Sequence, residues 1–320
     1  MKPAWILCDE GKVGTYRQCL ALAKILNIEG IHKPINLNPP YRWLPPWFML
    51  GFKNPSGLQR LTATTLDKPY PDMIIAAGRQ AVNAALALRR ECKTIVLQNP
   101  RINPRYFDLV IPPYHDKVQG ENVVSTLGAL HPIRPEELAP LRHEHYQGPT
   151  VTVLIGGDSQ HYRYTSTYIQ NLGEALRRIV TTPGPLHGAR LLITPSRRSR
   201  PELLFELKRL LMGTDFELWD NQGENPYLRY LACADMVVVT GDSISMMSEA
   251  CITGKPVYIH EIPSSSARLG NFLTMLYENQ HACALEEKTN DNRAFKRLDE
   301  LQRICSLIKP AIAQKTTQRI

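Results

Sequence analysis

Short apolar runs closed by turn residues recur along the chain, and stretches of helical periodicity separate them. A run of four or five apolar residues without alternation fits a strand covered on both faces, as βαβ crossovers cover a parallel sheet. Strands are predicted in the first half at Trp5–Cys8, Met73–Ala76, Thr94–Leu97 and Leu109–Ile111, and in the second at Val151–Ile155, Leu191–Thr194, Phe216–Leu218, Met236–Val239 and Val257–Ile259. Helices are predicted at Tyr16–Leu26, Gln80–Arg90, Thr165–Ile179, Pro201–Leu211, Tyr227–Ala232, Ser243–Ile252 and Ala294–Ile308. The last ten residues, ending Gln314-Lys315-Thr316-Thr317-Gln318-Arg319-Ile320, read as a frayed end.

One segment repeats. Asp72-Met73-Ile74-Ile75-Ala76-Ala77-Gly78 aligns with Asp235-Met236-Val237-Val238-Val239-Thr240-Gly241 at an offset of 163, and the same offset carries Thr94-Ile95-Val96 onto Val257-Tyr258-Ile259. Each half thus holds strand, glycine turn, helix and strand at equal spacing. Two generic βαβ units give such a match by chance; otherwise it marks two similar α/β domains, doubly wound parallel sheets of Rossmann type facing a cleft at the carboxyl ends of their strands. The polar segment Arg142–Pro149, ending Gln147-Gly148-Pro149, is the expected boundary. The expected parts are residues 1–147, residues 148–293, and a C-terminal helix with tail at 294–320 that packs back on the first domain.

A length of 320 residues agrees with two domains at about 150 residues each. With 43% hydrophobic and 21% charged residues, composition excludes wholesale disorder, collagen and coiled coil. Of a net charge of +8, residues 1–147 supply +6, from 18 basic and 12 acidic side chains. The basic residues are scattered, with arginine-arginine pairs only at Arg89-Arg90, Arg177-Arg178 and Arg197-Arg198 and no longer basic run, so nucleic acid is not an expected partner. Seven cysteines without CxxC or Cys/His spacing argue against a disulfide framework and against a metal site. Neither a leader-like apolar region nor an 18-residue apolar window occurs, so a reduced, cytoplasmic protein is expected.

In an open parallel sheet the chemistry sits on the loops after the strands. Gly156-Gly157-Asp158-Ser159-Gln160 follows the first strand of the second half, and its glycines let backbone N–H groups approach a ligand. Thr194-Pro195-Ser196-Arg197-Arg198-Ser199 brings hydroxyls and guanidinium groups to a helix opened by Pro201, which suits a phosphate; the bland alternative is a capping serine beside two solvated arginines. In Thr240-Gly241-Asp242-Ser243-Ile244-Ser245-Met246-Met247-Ser248-Glu249, either Ser243 or Asp242 can cap a helix that carries Ser245 and Glu249 one above the other. Glu249 could accept two hydrogen bonds from a vicinal diol such as a ribose, or only complement the helix dipole.

The first half lacks GxGxxG and GxxxxGK[ST], which excludes a Rossmann NAD fingerprint and a P-loop. Asp9-Glu10-Gly11-Lys12-Val13-Gly14 ends its first strand, and Tyr114-His115-Asp116 ends another. Asp9, Glu10, His115 and Asp116 are candidate general bases. The aromatic segment Trp43–Phe52 lies between prolines; exposed, it would suit a membrane interface or a lipid acceptor, and buried it would be a bent loop packed on the core.

Several ordered motifs resemble the mitochondrial-fission "elongated mitochondria" family of bacteria and plants. They are Asn99-Pro100-Arg101 with Phe107-Asp108-Leu109-Val110 and His115-Asp116; Gly156-Gly157-Asp158-Ser159 with His161-Tyr162-Arg163; Thr194-Pro195-Ser196-Arg197-Arg198; and the run from Asn225-Pro226-Tyr227 through Thr240-Gly241-Asp242-Ser243 and Ser248-Glu249-Ala250 to Gly254-Lys255-Pro256. The resemblance covers Trp5 to about residue 280. It implies a GT-B glycosyltransferase, similar in design to the transferase that adds N-acetylglucosamine to the lipid-linked cell-wall precursor, with a nucleoside diphosphate sugar as substrate and no cofactor or metal.

By that resemblance Gly156, Gly157 and Ser159 would line the diphosphate and Arg197 or Arg198 would neutralise it. Asn225 and Tyr227 would border the base, Ser243 and Ser245 would sit at a helix N-terminus, and Glu249 would hold the ribose. Asp9 or Glu10, then Asp116, would deprotonate an acceptor that is lipid-linked or anionic. Related transferases carry a histidine in the first glycine-rich loop, where this chain has Gly14-Thr15. That departure leaves a second reading open: a non-catalytic nucleotide-binding scaffold or recruitment protein at the inner face of a membrane. An older epimerase label is not supported by a Tyr-xxx-Lys pair.

Overall fold

The structure is a computed structural model that describes residues 3–51, 61–142, 146–159, 162–263, 266–287 and 293–317, with side chains up to residue 309. The chain forms two compact units, Met1–Pro132 together with Glu300–Ile320, and Ile133–Asp299.

Unit 1 runs β1 (Ala4–Asp9), α1 (Val13–Ile25), β2 (Gly30–Ile35), β3 (Met73–Ala77), α2 (Arg79–Leu88), β4 (Lys93–Leu97) and β5 (Leu109–Ile111). Its sheet is parallel with strand order β2-β1-β3-β4-β5. Side chains alternate across a strand, and here the parity sorts them cleanly. Trp5 and Leu7 of β1 and Ile74 and Ala76 of β3 join a core with Ala81, Val82, Ala85 and Leu86 of α2. Ala4, Ile6 and Cys8, with Met73, Ile75 and Ala77, face Cys19 and Leu22 of α1 and Leu301, Ile304 and Ile308 of the C-terminal helix, Glu300–Thr317. The same alternation puts Asp9, the last residue of β1, on the α2 side.

Unit 2 contains α3 (Pro135–Leu138), β6 (Thr150–Ile155), α4 (Ser166–Thr181), β7 (Arg190–Pro195), α5 (Pro201–Leu210), β8 (Phe216–Leu218), α6 (Tyr227–Cys233), β9 (Met236–Thr240), α7 (Ile244–Cys251), β10 (Val257–His260), α8 (Ala267–Glu278) and β11 (Cys283–Ala284). These strands make a second parallel sheet in the order β11-β10-β9-β6-β7-β8. Every residue of β6 and β9 is buried, as in strands covered on both faces. Thr150 and Thr152 donate their hydroxyls to the carbonyls of Cys233 and Tyr230 on α6, which satisfies two polar groups inside the core.

The repeat seen in the sequence is a repeat of pairing. Ile74↔Thr94 through Ala77↔Leu97 in unit 1 becomes Val237↔Val257 through Thr240↔His260 in unit 2 without a register slip.

Several elements depart from expectation. β2 escapes the apolar-run rule because Gly30-Ile31-His32-Lys33-Pro34-Ile35 is a half-exposed edge strand, where a proline is tolerated. β11 has only two residues, and α8, capped by Ser266 through Leu269 N, was not foreseen. The final helix starts at Glu300, not Ala294, since the preceding residues are held extended by Lys296 N to Gln280 O and Leu298 N to Cys251 O. Its backbone stays helical to Thr317, through most of the tail that reads as frayed. Unit 2 begins at Ile133, earlier than the expected boundary at 147/148, because α3 buries Leu138 and packs on α6.

Candidate functional site

The carboxyl ends of β6, β7 and β9 are tied together by one buried carboxylate. Asp242 follows β9, and its side chain is 0% exposed. Its Oδ1 accepts from the Thr240 hydroxyl at 2.8 Å and from the Tyr164 hydroxyl at 2.8 Å, while its Oδ2 accepts from Arg198 Nη2 at 2.7 Å and from Gly157 N at 3.3 Å. Arg198 also donates to Gly157 O at 2.9 Å, and Ser199 Oγ donates to Gly156 O. The negative charge is balanced by one guanidinium and spread over three further donors, as a buried carboxylate needs. Burial, then the neighbouring Tyr168 and Asp242, push the Tyr164 hydroxyl far above its ordinary pKa, so it stays a donor.

Gly156 and Gly157 serve close approach, but of protein groups. A Cβ on Gly156 would sit 1.9 Å from Asp242 Oδ1, and one on Gly157 2.2 Å from the Arg198 carbonyl oxygen. Their N–H groups are engaged too, Gly156 N with Thr240 Oγ1 at 2.8 Å and Gly157 N with Asp242. Ser159 pairs with Tyr162, its backbone N–H donating to Tyr162 O and its Oγ accepting from Tyr162 N. Gln160 and His161 lie outside the described residues.

Of the paired arginines, Arg198 is committed to Asp242. Arg197 is exposed and has no side-chain hydrogen bond or ion pair among the described residues. Ser243, not Asp242, caps α7, its Oγ accepting from Met246 N at 3.3 Å, and Ser245 in the first turn is exposed. Glu249 Oε2 accepts from the Tyr227 hydroxyl at 2.5 Å, so the two residues expected at the base and the ribose meet directly. Burial, then Glu249, hold the Tyr227 hydroxyl well above its ordinary pKa and keep it the donor. Asn225 is exposed and turns its Oδ1 back onto Tyr227 N at the start of α6. All these residues lie on unit 2, on the loops after its strands or in the first two turns of the helices that follow.

In unit 1, Asp9 Oδ1 accepts from Gln80 N and Ala81 N, each at 2.9 Å. It caps α2, whose own N-cap residue, Gly78, has no side chain to do so. Burial raises the Asp9 pKa, against the opposing pull of those backbone hydrogen bonds and of Arg79. Glu10 is exposed and accepts from Asn36 Nδ2 at 2.7 Å. His115 and Asp116 share a short turn with Nε2 and Oδ1 3.6 Å apart.

The two units use one device with the parts exchanged. Strand register makes Asp9 of β1 the counterpart of Gly156 after β6, and Gly78 the counterpart of Gly241. In unit 1 the carboxylate ends β1 and lies against the glycine after β3, with a Cβ on Gly78 only 2.6 Å from the Asp9 carboxyl. In unit 2 the glycine follows β6, and Asp242 reaches over from the loop after β9.

Sequence reasoning missed Tyr164 and Thr240 and took Asp242 only as a capping residue. Thr240 and Asp242 at i and i+2, both polar after an apolar strand, were the available signal; Tyr164 gave none, being 78 residues away. Further along the sheet, Tyr168 donates to His260 O at 2.8 Å, and the His260 Nδ1 lies 3.1 Å from Glu286 Oε1. No cluster of His, Cys, Asp or Glu among the described residues has the arrangement of a metal site. No helix among them is long and apolar enough to cross a membrane.

The geometry can be set beside known proteins. Solved structures with the same two-sheet architecture include the UDP-GlcNAc 2-epimerase of Methanocaldococcus jannaschii (12% identity, TM-score 0.52, covering 97% of this chain and 100% of that one). They also include the glycotransferase of kitacinnamycin (12%, 0.55, 99% of each) and MurG of Acinetobacter baumannii (13%, 0.50, 96% and 100%). At such identities the likeness is one of fold, the GT-B-like pairing of Rossmann-type units. In sequence, the mitochondrial fission protein ELM1 of Arabidopsis thaliana is 31% identical over 255 residues, 69% of this chain and 59% of the plant protein, so the match spans less than two thirds of that relative. The uncharacterized protein RP120 of Rickettsia prowazekii (strain Madrid E) is 25% identical over 354 residues, covering 96% of this chain and 98% of that one. Residues 13–312 match the family model described as Mitochondrial fission ELM1. Fold, motifs and relatives agree, and the chain belongs to the Mitochondrial fission ELM1 family.

Proposed function

We propose that unit 2 binds a nucleoside diphosphate sugar and that the protein transfers the sugar to an acceptor. The observation that carries this is the Glu249–Tyr227 pair, a half-buried carboxylate of α7 held by the hydroxyl that opens α6, on the same unit as the exposed Arg197 and Ser245. A fixed carboxylate suits a ribose diol, and a free guanidinium beside a helix start suits a diphosphate. The crystal structures of the M. jannaschii and Neisseria meningitidis epimerases hold UDP-GlcNAc, which supports the ligand class on this fold. Glycosyl transfer needs mainly stabilisation of the departing diphosphate, which cations and helix N-termini provide. Asp9 is the base this reading prefers: α2 fixes one of its oxygens, and its raised pKa favours proton uptake.

The test is binding, then turnover. UDP and UDP-GlcNAc, followed by other nucleoside diphosphates, should raise the melting temperature by several degrees at a hundredfold excess over Kd. Glu249→Ala should weaken binding about 10- to 100-fold, as loss of charged hydrogen bonds predicts. If no nucleotide binds, the reading is lost. A specific observation favours the runner-up, a nucleotide-binding scaffold without transfer: Asp9 is occupied as a helix cap and Glu10 is held by Asn36. Binding without transfer, hydrolysis or epimerisation of any donor would decide for that scaffold.

A further inference from the structure

The segment between β2 and β3 has a divided character. Two short 3-10 turns, Tyr41–Trp43 and Pro46–Gly51, are anchored from below by Pro46 and by Met49, which is 1% exposed and sits in the α2-side core. Asn83 of α2 donates to Leu44 O, and Arg79 donates to Arg42 O at 2.5 Å. From this anchored base Trp43 and Trp47 stand out at 63% exposure each, with Phe48 at 39%. The expectation of an exposed or a buried aromatic loop is thus answered by a loop that is both, packed through Pro46 and Met49 and open through its large aromatics. Phe52 lies outside the described residues. The two indoles, Trp43 and Trp47, stand out from a tethered turn and call for a binding surface, since water solvates large apolar rings poorly.

Charge indicates which partner. Unit 1 contains 20 Lys and Arg against 10 Asp and Glu, a net +10, whereas unit 2 has 18 against 20, a net −2. No acidic residue occurs between Glu29 and Asp67, a stretch with Lys33, Arg42, Lys53 and Arg60. Arg42 lies 6.0 Å from the Trp43 ring, and both Arg42 and Arg79 are exposed. A second copy docking here by two-fold symmetry would bring like charges together. Protruding indole rings beside guanidinium groups match the headgroup level of a bilayer, where tryptophan is enriched and basic residues meet lipid phosphates.

We propose that the Arg42–Phe48 turn docks unit 1 on an anionic lipid bilayer, with Trp43, Trp47 and Phe48 entering the boundary between headgroups and acyl chains and Arg42 and Arg79 on lipid phosphates. The surface lies wholly on unit 1 and does not depend on the donor reading for unit 2. The full chain is floated with phosphatidylcholine vesicles containing 30% phosphatidylserine and with vesicles of phosphatidylcholine alone. Wild type should float with the anionic vesicles and far less with the neutral ones. Trp43→Ser and Trp47→Ser should each cut the bound fraction about tenfold, and Arg42→Glu should remove the preference for anionic lipid. Brominated acyl chains should quench tryptophan fluorescence in wild type and much less in the double serine variant. These residues are exposed, so the melting temperature serves as the folding control and should not move. Wild type that fails to float, serine variants that float unchanged, or a soluble dimer that Trp47→Ser converts to monomer would each overturn the proposal.

Discussion

Replacing Asp242 by alanine tests the account of the three joined loops. The substitution leaves the Tyr164 hydroxyl, in a residue only 3% exposed, without its acceptor, at a cost of about 1–3 kcal/mol. Arg198 is 40% exposed and can turn to water, so losing its partner there costs under about 1 kcal/mol. With the acceptor lost to Thr240 Oγ1 and Gly157 N included, the sum is about 3 kcal/mol. For a domain of 150–250 residues, which includes unit 2, each kcal/mol lowers the melting temperature by about 2–4 °C, so Asp242→Ala should shift the unit 2 transition by roughly 6–12 °C. Asp242→Asn keeps an acceptor for Tyr164 and Thr240 and should cost about a third as much. Scanning calorimetry of the full chain reads both. An internal control comes from the glycines: Gly156→Ala collides with the Asp242 carboxyl, so its penalty should shrink in the Asp242→Ala background, whereas Gly157→Ala meets the Arg198 backbone and should be as harmful there as in wild type. A shift below about 2 °C for Asp242→Ala, or equal Gly156→Ala penalties in both backgrounds, would refute the reasoning.

Two further predictions concern titration and thiols. The folded pKa of Asp9 is raised above 3.8, so the folded state holds its proton longer than the unfolded chain, and the stability Asp9 contributes falls as pH rises from about 3.8 through that folded value. Asp9→Asn keeps an acceptor for Gln80 N and Ala81 N but does not titrate; its melting temperature relative to wild type should therefore climb across this window, and a flat difference would contradict the raised pKa. All seven cysteines are free thiols, six of them buried, and burial pushes Cys251 up to about 12. Native-state alkylation read by mass spectrometry should therefore modify half-exposed Cys283 first, with the others protected until unfolding; early labelling of Cys251 would show that α7 opens locally.

What could be read from the sequence follows from what each element buries. β3, β4, β6 and β9 are covered on both faces, so each contains a run of three to five apolar residues, and the repeat at offset 163 is visible because both sheets pair the same way. β2 lies at an edge and pays no penalty for His32, Lys33 or Pro34, which removes the signal. The Glu249 position was legible from helical spacing, but its contact with Tyr227 was not, since helix spacing says nothing about a neighbour 22 residues away. The Gly156-Gly157 pair reads as a place where a ligand comes close to the backbone, and the structure brings protein groups against both glycines. Which group approaches is a tertiary fact, set by Asp242 and Arg198 from two other loops.

The C-terminal helix has a consequence for the order in which the protein matures on the ribosome. Leu301, Ile304 and Ile308 complete a core begun by Ala4, Ile6 and Leu22, yet all of Ile133–Asp299 is synthesised between them. At about 5–20 residues per second, that intervening stretch takes on the order of 10–30 s to emerge. Throughout it the β-sheet of unit 1 has its α1 face only partly roofed, while unit 2 can close on contacts made entirely within its own stretch. The half of the protein translated first is therefore the half finished last, and its open sheet face is the surface for which a nascent-chain chaperone would have most use.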